Sequence, residues 1–212
     1  MTTALLQTTY FGPVQWYQKL NRSDSVLIEQ FDSYQKQTFR NRCVIATANG
    51  LQVLTVPVES DKDNAGHEKT LVRDIRISDH NQWRRVHWNA LQSAYSESPF
   101  FEYYADDIRP FFEKRYDFLI DYNEAIRQTV CKLIDIQPKV SYTTEFVTQP
   151  PSQENCDYYD FRDVIHAKHP LPDPAFEAKR YWQVFQHKHG FLPNLSILDL
   201  LFCMGPEAVF YL

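Results

Sequence analysis

The sequence predicts an α/β (or α+β) fold: an N-terminal βαβ unit and a β-hairpin forming a mixed sheet, followed by a mostly helical C-terminal half. Three observations carry this. An apolar strand, a short Pro-started helix and a second apolar strand succeed one another within the first 31 residues. Two apolar runs then flank Asn49-Gly50. From Ser78 onward apolar residues recur at helical spacing. A chain of 212 residues supports one sizeable core, and residues 1–212 are read as a single domain.

The elements follow in order. "TALLQTTYF" (3–11) is a strand that stops at Gly12-Pro13, and "PVQWYQKLN" is a helix with Pro in its first turn. "SVLIEQF" (25–31) is the second strand, expected parallel to the first through a right-handed crossover. In the hairpin, Asn49 and Gly50 supply the two positive-φ positions of a type I′ turn. That loop pairs Ala48 with Leu51, Ile45 with Leu54, Cys43 with Val56 and Asn41 with Val58. Cys43, Ile45, Leu54, Val56 and Val58 then share one face. The other face carries Arg40, Arg42, Val44, Ala46, Val53 and Thr55, and its apolar middle predicts cover on both sides. Residues 59–69 form a polar loop, and "LVRDIRIS" (71–78) alternates like a strand.

Trp83, Val86, Ala90, Leu91 and Ala94 make a helical stripe ended by Pro99. "FFEYYADDIRPFFEKRY" predicts two short helices broken at Pro110. Residues 116–136 predict a longer helix with Leu119, Tyr122, Ile126 and Ile134 on one face. "KVSYTTEF" is a late strand. The Pro-rich stretch 147–174 is a long loop, a lid or a surface crossing. Helices around 175–189 and from Ser196 close the chain.

Composition narrows function. A net charge of -5 argues against nucleic acid, whose phosphates need clustered Lys and Arg. Gly is scarce, at 5, and no glycine-rich phosphate loop occurs. No apolar run is long enough for a membrane span, and the start lacks a signal-peptide pattern. Cys43, Cys131, Cys156 and Cys203 lie far apart and read as reduced thiols of a cytoplasmic protein. His166/His169 and His187/His189 have no Cys or carboxylate in a recognised ligand motif beside them, so no metal is expected. No cofactor is assigned. "SILD" (196–199) fits a capping box better than a nucleophile with its orienting acid.

The candidate binding residues sit at two places. The first βα turn offers the free N–H groups of Val14 and Gln15 to an anion, and the second strand delivers Gln30 and Asp32 nearby. The open end of the hairpin gathers Arg40, Asn41 and Arg42, with Tyr34 and Lys36 just upstream. Such donors suit a phosphate, sugar acid or activated carboxylate; the plainer reading is edge-strand cations that discourage aggregation. Arg42, with Asn41 beside it, is expected to border a ligand site formed by the βα turn. His87, one helical turn after Trp83, is a general base or a packed core histidine.

These strings resemble the WbqC-like family. The matches are Gln7, Tyr10, Lys19, Asp24, Tyr34, Lys36, Asn41, Arg42, Ile45, Asn49-Gly50 and "LTVPV" at 54–58. Trp83, His87, Tyr95, "SPFF" and the ending "GFLPNLSILDLLFCMGPEAVFYL" add to them. The chain departs from the pattern at Thr8, where a Pro is expected, and at Gln30-Phe31, where an Asp pair is expected.

Members occur in gene clusters for O-antigen and other surface polysaccharides, and a glycine (aminoacyl) transferase role has been proposed for some. The resemblance therefore implies a transferase of surface polysaccharide biosynthesis, passing a glycyl or other acyl group to a sugar, with a partner in that pathway. His87 or Asp32 would be the base, Asn41 and backbone N–H groups near Gly12 the oxyanion donors. Arg42, Lys36 and Arg40 would hold phosphate, with Gln7, Tyr10 and Tyr34 lining the site. A nucleotide-sugar enzyme of another type and a non-catalytic assembly or sugar-binding protein remain open.

Overall fold

β1 (Thr2–Gln7) is continuously apolar at Ala4-Leu5-Leu6 because it is covered on both faces, as a strand inside a parallel sheet must be. In the computed structural model, which describes residues 1–59, 70–148 and 157–212, β1 pairs in parallel with β2 (Ser25–Glu29), Leu5 opposite Leu27. α1 (Val14–Arg22) links the two strands. β5 (Val140–Tyr142) extends the sheet beside β2, and β6 (Asp157–Asp160) pairs in parallel with β1 on its other side. The order is β5-β2-β1-β6.

The hairpin β3 (Arg42–Thr47) and β4 (Gly50–Thr55) forms its own two-stranded antiparallel sheet, so parallel and antiparallel pairing stay separate within the α/β fold. Its turn differs from the type I′ expectation. Gly50 alone takes a positive φ, of 104°, and pairs with Thr47, so Ala48 and Asn49 form the tip. The Thr47 hydroxyl settles this, donating to Gly50 O (2.9 Å) and accepting from Asn49 N (3.2 Å). Cys43 consequently faces Leu54 rather than Val56. A slip of two residues keeps every side chain on its predicted face.

Cover on both sides fails for β4: Leu51 is 61% exposed and Val53 49%. Residues 188–196 run along β3, bonding Val44 O, Thr47 O and Ala48 O, and among the described residues no strand pairs with the other side of β4.

Residues 71–78 are not a strand. Their backbone changes partner too often for a ladder: Val72 N and Arg73 N bond Asp32 O and Gln30 O, while Ile77 N and Ser78 N bond Asp117 O and Pro57 O. Val72–Asp74 is a 3₁₀ turn.

The helices α2 (Trp83–Tyr95), α3 (Phe101–Ile108) and α4 (Leu119–Leu133) follow the predicted spacing, with α3 giving way to a 3₁₀ turn at Arg109–Phe112 that contains Pro110. Leu119, Tyr122, Ile126 and Ile134 are all buried. On α2 the stripe is rotated: Val86 is 53% exposed and His87 is buried instead.

Two stretches read wrongly from the sequence come from the C-terminal third. The predicted loop 147–174 contains β6; the predicted polar loop at 59–69 and Cys156 fall, but for Glu59, outside the described residues. The helix expected at 175–189 shrinks to α5 (Gln186–His189), ended by Gly190 at φ 72°. Residues 181–183 stay non-helical because Tyr181 Oη and Gln183 Nε2 donate to the Asp199 carboxylate at 2.7 and 3.1 Å.

In α6 (Ile197–Met204), Ser196 caps as expected, accepting from Leu198 N at 3.3 Å. Asp199 does not complete the box. It is fully buried and also accepts from Tyr95 Oη at 2.8 Å. Burial raises its pKa above the usual carboxylate range, and the hydrogen bonds from Tyr181, Tyr95 and Gln183 work against that rise.

Ser196 Oγ also donates to Phe11 O at 2.8 Å, tying the two ends of the chain together. Ser196→Ala therefore loses a cap and a buried bridge. A destabilisation of roughly 1–2 kcal/mol, or roughly 2–8 °C in Tm for a chain of this size, is expected by thermal unfolding.

Candidate functional site

All four strands of the parallel sheet run the same way, so their carboxyl ends share one rim: Gln7, Glu29, Tyr142 and Asp160. The chain builds outward from β1 to β2 and β5, then returns to place β6 on the opposite side of β1. Ligands of open α/β sheets collect at such a reversal.

Polar side chains fill this rim. The Glu29 carboxylate is buried and accepts from Phe31 N (2.8 Å), Thr143 Oγ1 (2.9 Å), Val147 N (2.9 Å) and Arg162 Nη1 (3.4 Å). It thereby joins β2, β5 and the segment after β6. Gln30 Nε2 donates to Thr143 O, and Gln7 Nε2 to Arg162 O at 2.7 Å. Arg162 grips Asp160 through Nε (3.0 Å) and Nη2 (2.7 Å) and donates to Val147 O at 2.9 Å. Burial works against its charge, but Asp160, Glu29 and Asp32 outweigh that and raise its pKa.

Arg40 is the hub. It is 1% exposed, ion-paired to Asp32, and within electrostatic reach of Tyr34, Asp163 and Arg162. Burial lowers its pKa, opposed chiefly by Asp32. Its Nε has no partner among the described residues. Arg42 is half-buried, has a buried Nε without a partner, and forms no ion pair among the described residues. Tyr34 Oη is a third buried donor without an acceptor among the described residues. Burial pushes the Tyr34 pKa up to about 12, with the Arg40 and Arg42 charges opposing. A buried donor left without an acceptor costs roughly 1–3 kcal/mol, which a bound oxyanion would relieve.

The structure thus pairs Arg40 with Asp32, sets Arg40 and Arg42 within electrostatic reach of Tyr34, and ties Gln7 to Arg162. Lys36 is exposed on the loop between Tyr34 and Arg40. Asn41 is buried in the hairpin, its Nδ2 donating to Val56 O at 2.8 Å. Tyr10 and His87 are placed in the aromatic core, Tyr10 Oη against His87 Nδ1 at 2.8 Å.

The anion site expected at the start of α1 is occupied by the chain itself. Val14 N donates to Leu195 O and Gln15 N to Asn194 Oδ1, both at 2.9 Å, so neither N–H is free. Gly12 in that turn holds its position because a Cβ there would collide with the Thr9 side chain.

Sequence reasoning missed Arg162, Asp163 and His166, which reach the rim only because β6 pairs with β1. "DYYD" at 157–160, two β-forming Tyr between turn-type residues, was the signal available. Among the described residues, no group of three or more His, Cys, Asp or Glu is placed to hold a metal ion, and no helix is long and apolar enough to cross a membrane.

A model of the WbqC-like protein family matches residues 7–171, a span that contains every residue of the rim. The chain belongs to the WbqC-like protein family. A relative in Mycobacterium tuberculosis (strain ATCC 25618 / H37Rv), the uncharacterized protein Rv1507c, is 28% identical over 232 aligned residues. The alignment takes in 99% of this chain and 96% of the relative. No solved structure matches the chain. The resemblance seen in the sequence therefore holds, and this WbqC-like chain has Glu29 and Asp32 on either side of Gln30-Phe31, the first bonded to Thr143 just after β5 and to Arg162, the second to Arg40.

Proposed function

We propose that this WbqC-like protein is an acyl (glycyl or other aminoacyl) transferase of surface polysaccharide assembly. Its activated anionic donor would be held at the carboxyl rim of the parallel sheet. The observation that carries the reading is the pair of buried donors without acceptors among the described residues, Arg42 Nε and Tyr34 Oη, within reach of the buried Arg40. In this reading a sugar amine or hydroxyl attacks the acyl carbonyl carbon. A new C–N or C–O bond forms, the bond to the leaving oxyanion breaks, and the acceptor's proton passes to Asp32. Arg42 and Tyr34 take up the leaving oxyanion. His87, behind Tyr10, supports the core in this reading. Free, buried thiols at Cys43, Cys131 and Cys203 agree with a cytoplasmic setting.

A second reading is non-catalytic sugar binding within the same pathway. The engagement of Asp32, Asp160 and Glu29 by arginines favours it, since none of the three is a free base.

Thermal unfolding against anionic acyl donors and sugar phosphates tests the site. A true ligand at about 100 times its Kd adds roughly 2.7 kcal/mol, a rise of roughly 5–10 °C. Arg42→Ala should abolish that rise while changing the unliganded Tm by no more than about 2 °C, because no ion pair among the described residues is lost. An undiminished rise in Arg42→Ala would remove Arg42 from the site. Asp32→Asn separates the readings: binding without turnover supports transfer, and an unchanged phenotype supports binding alone.

A further inference from the structure

A cavity of about 480 Å³ lies where the last turns of α1 pass β6, the strand at the end of the parallel sheet. Among the described residues its apolar lining includes Tyr159, Phe161, Pro172 and Pro174, and its polar lining includes Lys19 and Asp173. Tyr34, Arg40 and Arg42 do not line it. That size, and apolar walls with a few placed polar groups, are the marks of a small-molecule site.

The alternation of a strand makes one wall flat. Tyr159 and Phe161, two residues apart, turn their rings to the same side, with centroids 6.2 Å apart and planes 25° from parallel. Tyr159 stays 51% exposed, so its ring is open to a ligand at the cavity mouth.

The other wall is a buried ion pair. The Lys19 ammonium meets Asp173 at 2.7 Å and lies 4.7 Å over the Phe161 ring, and both charged side chains are more than nine-tenths buried. Asp173 also accepts from Gln15 Nε2 (2.8 Å) and Ala175 N (3.2 Å). Burial works against its charge, but the bonds from Lys19 and Gln15 hold its carboxyl below the usual range. Of the three N–H donors of the ammonium, Asp173 takes one.

This pair selects the ligand. An anion would have to draw Lys19 from Asp173, and a cation would have to draw Asp173 from Lys19 and Gln15; breaking a buried pair is costly. A wholly apolar ligand would strip water from the pair and return no hydrogen bond. A hydroxyl group answers both charges, accepting from the ammonium and donating to the carboxylate. A ring with adjacent hydroxyls at its edge and C–H bonds on its faces meets both walls at once.

We propose that this cavity binds an uncharged hexopyranose, one face of its ring against Tyr159 and adjacent hydroxyls against Lys19 and Asp173. Nothing in this depends on the rim holding an anionic donor.

NMR titration of the full chain with the methyl α-glycosides of glucose, galactose and mannose, and with adenosine as a flat aromatic rival, tests it. At least one glycoside is expected to bind with a dissociation constant of about 1 mM. Tyr159→Ala should weaken it roughly 3- to 10-fold, and Tyr159→Phe, which keeps the ring, should leave it within about twofold. Ala175→Phe fills the cavity from an exposed lining position, keeps the backbone N–H that bonds Asp173, and should abolish binding. Glycoside binding undiminished in Tyr159→Ala and Ala175→Phe would overturn the placement. Adenosine binding tighter than every glycoside would overturn the ligand class, and no response to any glycoside up to about 20 mM would overturn the proposal outright. The rim is judged separately, by anionic probes and Arg42→Ala.

Discussion

Asp199→Ala is expected to be the most damaging single substitution outside the rim. The carboxylate is fully buried and accepts from Tyr95 Oη, Tyr181 Oη and Gln183 Nε2 at 2.8, 2.7 and 3.1 Å. Truncation strands the Tyr95 and Tyr181 hydroxyls, leaves Gln183 Nε2 with Leu192 O alone, and opens a void where α6, α2 and the 181–183 segment meet. Removing one member of a buried charged network costs about 3–5 kcal/mol. For a chain of this size that is a fall of roughly 6–20 °C in Tm.

Asp199→Asn keeps one acceptor oxygen but turns an NH₂ towards donors, so an intermediate loss of about 1–3 kcal/mol is expected. Tyr181→Phe removes a donor together with the need for its acceptor and should be milder still. A double-mutant cycle between Asp199→Asn and Tyr95→Phe should show coupling of about 1 kcal/mol or more. Additive effects would mean that the carboxylate and the phenol contribute independently, and the network account would fail.

The same residue shows where sequence ends as a guide. Ser196 and Asp199 carry the spacing of a capping box, and half of the box forms. The other half loses to a partner that no local pattern announces, because Tyr181 and Tyr95 arrive from 18 and 104 residues away. Elements whose burial is set by their own neighbours were legible: the unbroken apolar runs of β1 and β2, and the single stripe of α4. β6 was not, since it is a short, largely exposed strand whose only paired neighbour among the described residues is β1, at the other end of the chain.

The rim was half legible for the same reason. Tyr34, Arg40 and Arg42 stand out as a density of donors in one stretch. What separates them is side-chain pairing that the residue types do not announce: Asp32 takes Arg40, and among the described residues nothing takes the Arg42 Nε. Arg162 and Asp163 join only through the register of β6 on β1. The anion site expected at the start of α1 failed because Asn194 and Leu195, about 180 residues later, supply the acceptors first.

His87 supports a prediction about pH whose sign follows from its surroundings. Nδ1 accepts from Tyr10 Oη at 2.8 Å, and the ring also makes a hydrogen bond to the Thr55 backbone. Trp83, Tyr10 and Phe112 surround it, with ring centroids 5.1, 5.8 and 6.5 Å away. Burial lowers its pKa from 6.5 to about 4, against the Thr55 hydrogen bond. The unfolded chain binds a proton near pH 6.5 that the folded chain refuses until about pH 4. Stability from this residue is therefore complete above pH 6.5 and is lost as pH falls towards 4. The loss is about 3 kcal/mol across that window.

Urea unfolding of wild type and His87→Gln at pH 7, 6, 5 and 4 reads it directly. Gln cannot protonate, so the variant should be less stable at pH 7 and the gap should close by about 3 kcal/mol by pH 4. Parallel curves would show that His87 titrates alike in both states. An NMR titration of the His87 ring near 6.5 would have the further consequence of returning it to the candidate bases, because a ring that protonates freely is one that solvent and substrate can reach.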